Sequence, residues 1–260
     1  MLHRVGRKSY HNKLLPKLLS LFPDKIETFI DLFMGSGNVT FAMLGRAKYL
    51  YANDKEQEIF NLFQVVKDRP DELLMALRLM PQHDSLFQFW RKAQESDPIW
   101  RAVRFLFLSN FGYLGKPDIL HAKNNNEKRN LYQEIVKLSP SIDRIMFLCC
   151  DFREVLSVIS WSNPDRQKPR AFIYADPPYC GVTGFYAESF KEEDTRDLFA
   201  VLVASGIRFA VSEYRHPVVM DCAQQYGLQV TSLGIKQSLK NRTEELLITN
   251  YDPQLRQLSF

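Results

Sequence analysis

Residues 27–54, ETFIDLFMGSGNVTFAMLGRAKYLYAND, constrain the chain more than any other stretch. ETFIDLF has the length and apolarity of a strand, MGSGN is a tight turn, VTFAMLGR starts a helix, and AKYLYAND is a second strand closed by Asn53 and Asp54. Strand, glycine turn, helix, strand is the opening of an α/β parallel sheet. Gly35 and Gly37 stand where the strand hands over to the helix, and glycine there permits tight backbone conformations and lets a ligand approach the main chain. Asp54 lies about twenty residues on, the spacing at which an acid meets ribose hydroxyls in nucleotide-binding α/β units. Thr40 occupies the place of the third glycine in a dinucleotide fingerprint. The turn therefore suits a nucleoside ligand without a pyrophosphate, such as S-adenosylmethionine, at least as well as NAD.

The rest of the chain extends this pattern. KLLPKLLSLF reads as a short amphipathic helix in a basic first segment, where Arg4, Arg7, Lys8, Lys13, Lys17 and Lys25 face the single acid Asp24. From about residue 55 to 108, apolar residues recur at spacings of three and four, the period of helices. NFGYLGKPDILHAKNNNEKRN, residues 110–130, reads as exposed loop. Strand signals return in IMFLCCDF, AFIYADPPY, IRFAVSEY, LQVTSLGI and EELLITNY, with helical runs near 131–141, 152–160, 192–205 and 216–226. Two α/β halves thus flank a helical, polar-looped middle that reads as an insertion.

With 45% hydrophobic and 25% charged residues the composition is that of an ordinary soluble domain. A net charge of +4 admits a polyanionic partner without requiring one. Cys149, Cys150, Cys180 and Cys222 form no CxxC pair, which points to a reduced cytoplasmic interior without disulfides or a zinc site. No apolar run approaches the roughly 20 residues of a membrane span.

AFIYADPPYC, residues 171–180, ends a strand in a carboxylate and then stiffens the backbone. Pro177 and Pro178 fix φ and lack amide donors, so they cannot continue a central ladder. The result is a rigid corner that presents the Asp176 carboxylate, the Pro177 carbonyl and the Tyr179 ring together.

DLFMGSG, YANDKEQEIFNLFQVVKD, ADPPYCGVTGFYAESF and TEELLITNY, in this order over nearly the whole chain, resemble the Dam-like, D12-class adenine-N6 DNA methyltransferases. The resemblance implies a doubly wound, mostly parallel α/β sheet of the S-adenosylmethionine-dependent methyltransferase type with an inserted helical and loop DNA-recognition domain. It implies a catalytic domain over 1–66 and 146–260 and a target-recognition domain over 67–145. It further implies transfer of the S-adenosylmethionine methyl group to the amine of a flipped-out adenine in duplex DNA, at a GATC-like site by analogy. Asp176 and Pro177 accept from the amine in this reading, Tyr179 stacks on the base, and Tyr186 and Phe185 extend the apolar wall. Asp31, Phe33, Gly35, Ser36, Gly37, Asp54, Asp151, Phe152 and Asp176 line the cofactor. Family members carry an aromatic-Gly-Gly-Lys-like motif near the start; here VGRKSYHNKLLP offers Lys8, with Tyr10 and Lys13 behind it. The family's common Ser-Asn pair is Ser212-Glu213 in this chain.

Phosphate and base contacts are expected from Lys116, Lys123, Asn124, Lys128 and Arg129, with Asn125 and Asn126 also in reach of base edges, and from Lys240 and Arg242. Asn110 is expected to support recognition or packing. The expected partner is double-stranded DNA, with no membrane and no metal. Both a solitary enzyme and one paired with a separate restriction endonuclease, and both a monomer and a weak dimer, are compatible with these residues. An RNA or protein-amide methyltransferase shares the corner's chemistry, but the basic-looped insertion favours DNA. A DNA-binding module without turnover is opposed by Gly35, Gly37, Asp54, Asp176 and Tyr179 together, and an NAD enzyme by Thr40.

Overall fold

The computed structural model describes residues 8–111, 127–180, 190–237 and 242–253. Its centre is a seven-stranded sheet in the order β3-β2-β1-β4-β5-β7-β6. The strands are β1 (Thr28–Asp31), β2 (Tyr49–Asn53), β3 (Ile145–Leu148), β4 (Ala171–Ala175), β5 (Arg208–Tyr214), β6 (Gln229–Gln237) and β7 (Arg242–Thr249). The first five run parallel, and β7 lies antiparallel between β5 and β6. Every residue of β1 and of β4 is buried, because helices cover both faces of the sheet. That is why these two strands read as unbroken apolar runs and not as alternating ones.

Helices α1 (Lys8–Ser20), α2 (Asn38–Ala42), α3 (Gln57–Asp68), α4 (Pro70–Leu79), α5 (Asp84–Lys92), α6 (Pro98–Phe111) and α7 (Glu127–Ile142) are followed by α8 (Val155–Val158), α9 (Pro164–Gln167), α10 (Glu192–Ala204) and α11 (Pro217–Gln225). One apolar core joins α1 and α3 through α7 to Phe29, Leu50, Phe172 and Leu247 on one face of the sheet. The other joins α8, α10 and α11 to Ile30, Ile173, Val211 and Ile248. In α3 the buried Ile59, Leu62, Phe63 and Val66 keep the helical three-and-four spacing, and Pro70 suits the first turn of α4, where its missing amide costs nothing. Phe87 and Trp90 then pack edge to face on Phe107, with Phe111 tilted against it, so the middle segment shares its core with the sheet.

Four local differences from expectation have physical causes. The strand in IMFLCCDF stops at Leu148, because the Cys150 amide bonds the Asn53 side chain and leaves the ladder. The helix expected over 152–160 contracts to α8, since the Asp151 side chain takes the Arg153 amide at 3.0 Å and delays the first turn. Helix α7 begins at Glu127, inside the expected loop, where the Lys128 ammonium donates to the carbonyls of Arg78 and Met80, each at 2.8 Å. Helix α9 and the 3-10 turn Lys168–Arg170 were not anticipated; Asn163 caps α9 by accepting from the Arg166 amide at 3.2 Å.

Among the described residues no helix is long and apolar enough to cross a membrane, and no group of three His, Cys, Asp or Glu is arranged to hold a metal ion.

Candidate active site

Strands β1 and β4 are neighbours, and from them the chain winds outward in both directions. Their carboxyl ends therefore flank the switch point where doubly wound sheets bind ligands. β1 ends at Asp31, only 1% exposed, whose Oδ2 accepts from the Thr40 hydroxyl at 2.6 Å. Its Oδ1 is buried without a hydrogen bond of ordinary geometry. Burial pushes the Asp31 carboxyl up to about 7; the Thr40 bond opposes this and the nearby Asp176 and Asp54 charges add to it. Thr40, met in the sequence as a missing glycine, is thus the partner that holds the acid of β1.

The glycine turn follows. Gly35 and Gly37 have φ of +48° and +75°, the left-handed region that side chains disfavour. A Cβ on Gly37 would stand 2.4 Å from the Phe41 ring, whereas one on Gly35 would meet nothing within 4 Å. Gly37 is required by packing, and Gly35 leaves its backbone open to a visitor. The turn is fastened to the end of β2: Met34 donates to the Asn53 carbonyl at 2.8 Å, and Gly35 donates to Asp54 Oδ2 at 2.8 Å. Asp54 Oδ1 accepts from the Glu56 amide at 3.0 Å. Burial raises the Asp54 carboxyl, and these two amides offset part of the rise.

Asn53 was not anticipated as a site residue. Its buried side chain donates to the carbonyls of Leu32 at 3.1 Å and Cys150 at 3.0 Å, and accepts from the Cys150 amide at 3.1 Å. One amide group thus ties together the ends of β1, β2 and β3. Beyond β3, the buried Phe152 packs with Phe33 and Phe190 at centroid distances of 5.6 and 5.9 Å. Arg153 lies 4.3 Å over the Phe152 ring and is held by Asp151, Asp194 and Asp197. Asp151 and Phe152 therefore sit beside Phe33 as one aromatic and acidic wall.

At the end of β4 the chain leaves the ladder at Asp176, and Pro177 is buried while Asp176, Pro178 and Tyr179 are partly exposed. The Tyr179 ring stands edge-on to Tyr214, with centroids 4.2 Å apart and a 67° interplanar angle. Its hydroxyl points to Glu245 Oε1 at 3.3 Å. Burial, then the Asp176 and Glu245 charges, hold the phenol well above its usual range, so it remains a donor. Glu213 Oε2 accepts from the Cys180 amide at 3.3 Å, and burial pushes the Glu213 carboxyl up to about 8. Under the corner, the hydroxyls of Tyr174 and Ser212 share a hydrogen bond of 2.9 Å.

The other anticipated residues divide three ways. Lys8, Tyr10 and Lys13 lie on α1 and Arg242 opens β7, but their side chains are outside the described residues, as are Lys116, Lys123, Asn124, Asn125, Asn126, Phe185, Tyr186 and Lys240. Ser36 is partly exposed in the glycine turn, and Arg129 is exposed on α7. Asn110 and Lys128 are turned inward. Asn110 is 1% exposed and donates to the Leu106 carbonyl at 2.9 Å, which makes it a packing residue. Lys128 donates its ammonium to the carbonyls of Arg78 and Met80 at the end of α4.

The sheet order, the reversed β7 and an Asp-Pro-Pro-Tyr corner at the switch point define a methyltransferase of the α/β class. The chain belongs to the D12 class N6 adenine-specific DNA methyltransferases, whose family model matches residues 11–228. It is a site-specific DNA adenine methyltransferase. It is 22% identical to the Type II methyltransferase M1.LlaDCHI of Lactococcus lactis subsp. cremoris, over 92% of both chains. It is 24% identical to the DNA adenine methylase of Escherichia coli strain K12, over 86% of both. The Type II methyltransferase M.FokI of Planomicrobium okeanokoites is 23% identical over 96% of this chain, which spans 42% of that longer protein.

Proposed function

We propose that the chain binds S-adenosylmethionine along the ends of β1, β2 and β3 and methylates N6 of an adenine turned out of duplex DNA onto the corner after β4. The observation that carries this reading is the adjacency of two built features: a glycine turn open at Gly35 and a stiff acid-and-tyrosine corner, one on each side of the switch point. The cofactor's fit is supported by the Asp31 Oδ1, a buried acceptor suited to a cationic group, and by the open backbone at Gly35. Asp31, Phe33, Gly35, Ser36, Gly37, Asp54, Asp151 and Phe152 would hold it, with Lys8 or Lys13 and Tyr10 closing over from α1. When bound, the cofactor supplies a methyl group activated by positively charged sulfur.

The chain's own residues do the rest. Adenine's amine is a poor nucleophile because its lone pair is delocalised into the ring. Asp176 and the Pro177 carbonyl accept the two N–H groups and favour the pyramidal amine of the transition state, and Asp176 is the acceptor for the proton that N6 loses. The prolines keep this geometry rigid, since misplacement by about 1 Å costs on the order of a hundredfold. Tyr179 stacks on the base and offsets part of the few kcal/mol spent in flipping it.

In this reading residues 67–145 form a target-recognition domain inserted between the catalytic segments 1–66 and 146–260. Arg129, Lys116, Lys123, Asn124, Lys240 and Arg242 meet the DNA. The setting is a bacterial or phage-infected cytoplasm, acting alone or with a separate restriction endonuclease, as a monomer or weak dimer, on a short GATC-like site.

The test is to incubate the purified chain with methyl-labelled S-adenosylmethionine and unmethylated genomic DNA, then sequence the modified bases. N6-methyladenine at one short sequence is expected, and D176A should keep its fold and leave the DNA unmodified. Label found in RNA or protein instead, or full turnover by D176A, would overturn the reading.

A further inference from the structure

The corner after β4 is gripped from two other strands. Tyr214 of β5 and Glu245 of β7 are directly paired across the antiparallel ladder, so both side chains project from one face of the sheet. Tyr179 lies against both, with its ring on Tyr214 and its hydroxyl toward Glu245 Oε1 and the Asp176 carboxylate. Glu213, one residue earlier, projects from the opposite face, where Oε2 receives the Cys180 amide at 3.3 Å and Oε1 the Tyr214 amide at 2.8 Å. The corner therefore straddles the end of β5, pinned on one face at residue 179 and on the other at residue 180.

Both acids are almost wholly enclosed, Glu213 at 1% and Glu245 at 2% exposure, and Glu213 feels the charges of Asp176 and Glu245. Enclosing carboxyl groups is costly unless their oxygens are used, and here Glu213 uses both and Glu245 its Oε1. Apolar side chains of similar size would fill these sites more cheaply, but they would not accept hydrogens from two successive residues of the corner. The Glu213 position is also the one where this chain departs from the Ser-Asn pair expected after β5.

We propose that Glu245 is a positioning residue for the Tyr179 ring, and that Glu213 fixes the next residue so that the plane of the ring is set before a base arrives. This rests on the reading above, in which Tyr179 stacks on the target adenine. Tyr214 limits the tilt of the ring, Glu245 limits its swing, and the prolines limit the backbone beneath it. Glu245 touches neither base nor cofactor in this arrangement; it acts through the phenol.

The experiment compares E245A, E245Q, Y179F and the E245A/Y179F pair in single-turnover methylation of a duplex bearing the mapped target, with cofactor affinity measured separately. E245A should lower kcat on the order of tenfold, a fraction of what gross misplacement costs, while cofactor affinity is unchanged. E245Q, which keeps an acceptor oxygen in nearly the same volume, should retain most of the wild-type kcat. Y179F should lose as much as E245A, and the pair should be no worse than either single variant. Equal loss in E245Q and E245A, wild-type kcat in Y179F, or additive losses would overturn the proposal. Should E245A fail to fold, E245Q and Y179F still decide. A wild-type chain that makes no N6-methyladenine removes the functional reading itself, whereas an active one with additive losses defeats the positioning role alone.

Discussion

Asp54 receives the amide hydrogen of Gly35 at 2.8 Å, so an acid at the end of β2 fixes a turn that begins after β1. Its second oxygen takes the Glu56 amide at 3.0 Å. Hydrogen bonds to charged groups contribute about 1.5–3 kcal/mol each. D54A should therefore loosen the turn as well as remove the proposed cofactor contact, and weaken S-adenosylmethionine binding by about tenfold or more. D54N, which keeps one acceptor oxygen, should fall between. Calorimetric titration with cofactor checks this, and wild-type affinity in D54A would refute the role.

Stability should fall as pH rises. Asp31 goes from 3.8 to about 7 on folding and Glu213 from 4.5 to about 8, burial being the main cause of each. Both pKa values are raised, so the folded chain holds these protons more tightly than the unfolded one. The stabilisation is complete below the lower values and is lost as pH passes through about 7 and about 8. Thermal melts of the ligand-free chain should drift downward over that window, and D31N and E213Q should each flatten the slope. A cationic cofactor prefers ionised Asp31, so its affinity should rise over the same range.

Gly37→Ala should destabilise the fold with little chemistry involved. The substitution places a side chain at φ +75° and a Cβ 2.4 Å from the Phe41 ring. Left-handed strain costs of order 1–3 kcal/mol, which a melting curve would register as a fall of several degrees. Gly35→Ala carries the backbone strain without the clash, so its melting point should fall less.

Arg129, exposed on α7, is expected to meet a phosphate. R129A should weaken DNA binding evenly across sequences and reduce the slope of log K against log salt by about 0.9. An unchanged slope would remove Arg129 from the interface.

The sheet and the motifs of the candidate site were legible because each leaves a local trace. Strands covered on both faces become runs such as FID and AFIYA, and their ends are marked by Asn53-Asp54 and by Asp176 with two prolines. Glu245 left no such trace, Glu213 showed only as a departure from the Ser-Asn pair, and the partners of Asn53 were hidden. Asn53 looks like an ordinary polar residue before an acid until folding brings Cys150, 97 positions away, onto its amide. Glu245 stands in a run read only as strand, and the β5–β7 ladder is what encloses it next to Tyr179, 66 positions earlier. The carbonyls that Lys128 caps are equally remote, about fifty residues upstream. Local chemistry announces which groups a site needs, and long-range pairing decides which others hold them.

Lys17 on α1 reaches across to β6, where its ammonium takes the carbonyls of Ser232 at 3.1 Å and Leu233 at 2.7 Å beside the irregularity at Gly234. Tyr251 closes the same region by donating to the Leu21 carbonyl at 2.9 Å. A helix synthesised early thus has its seat built by a hairpin more than two hundred residues later. On the ribosome α1 is made long before the hairpin that receives Lys17, so these contacts close only once β6 has emerged.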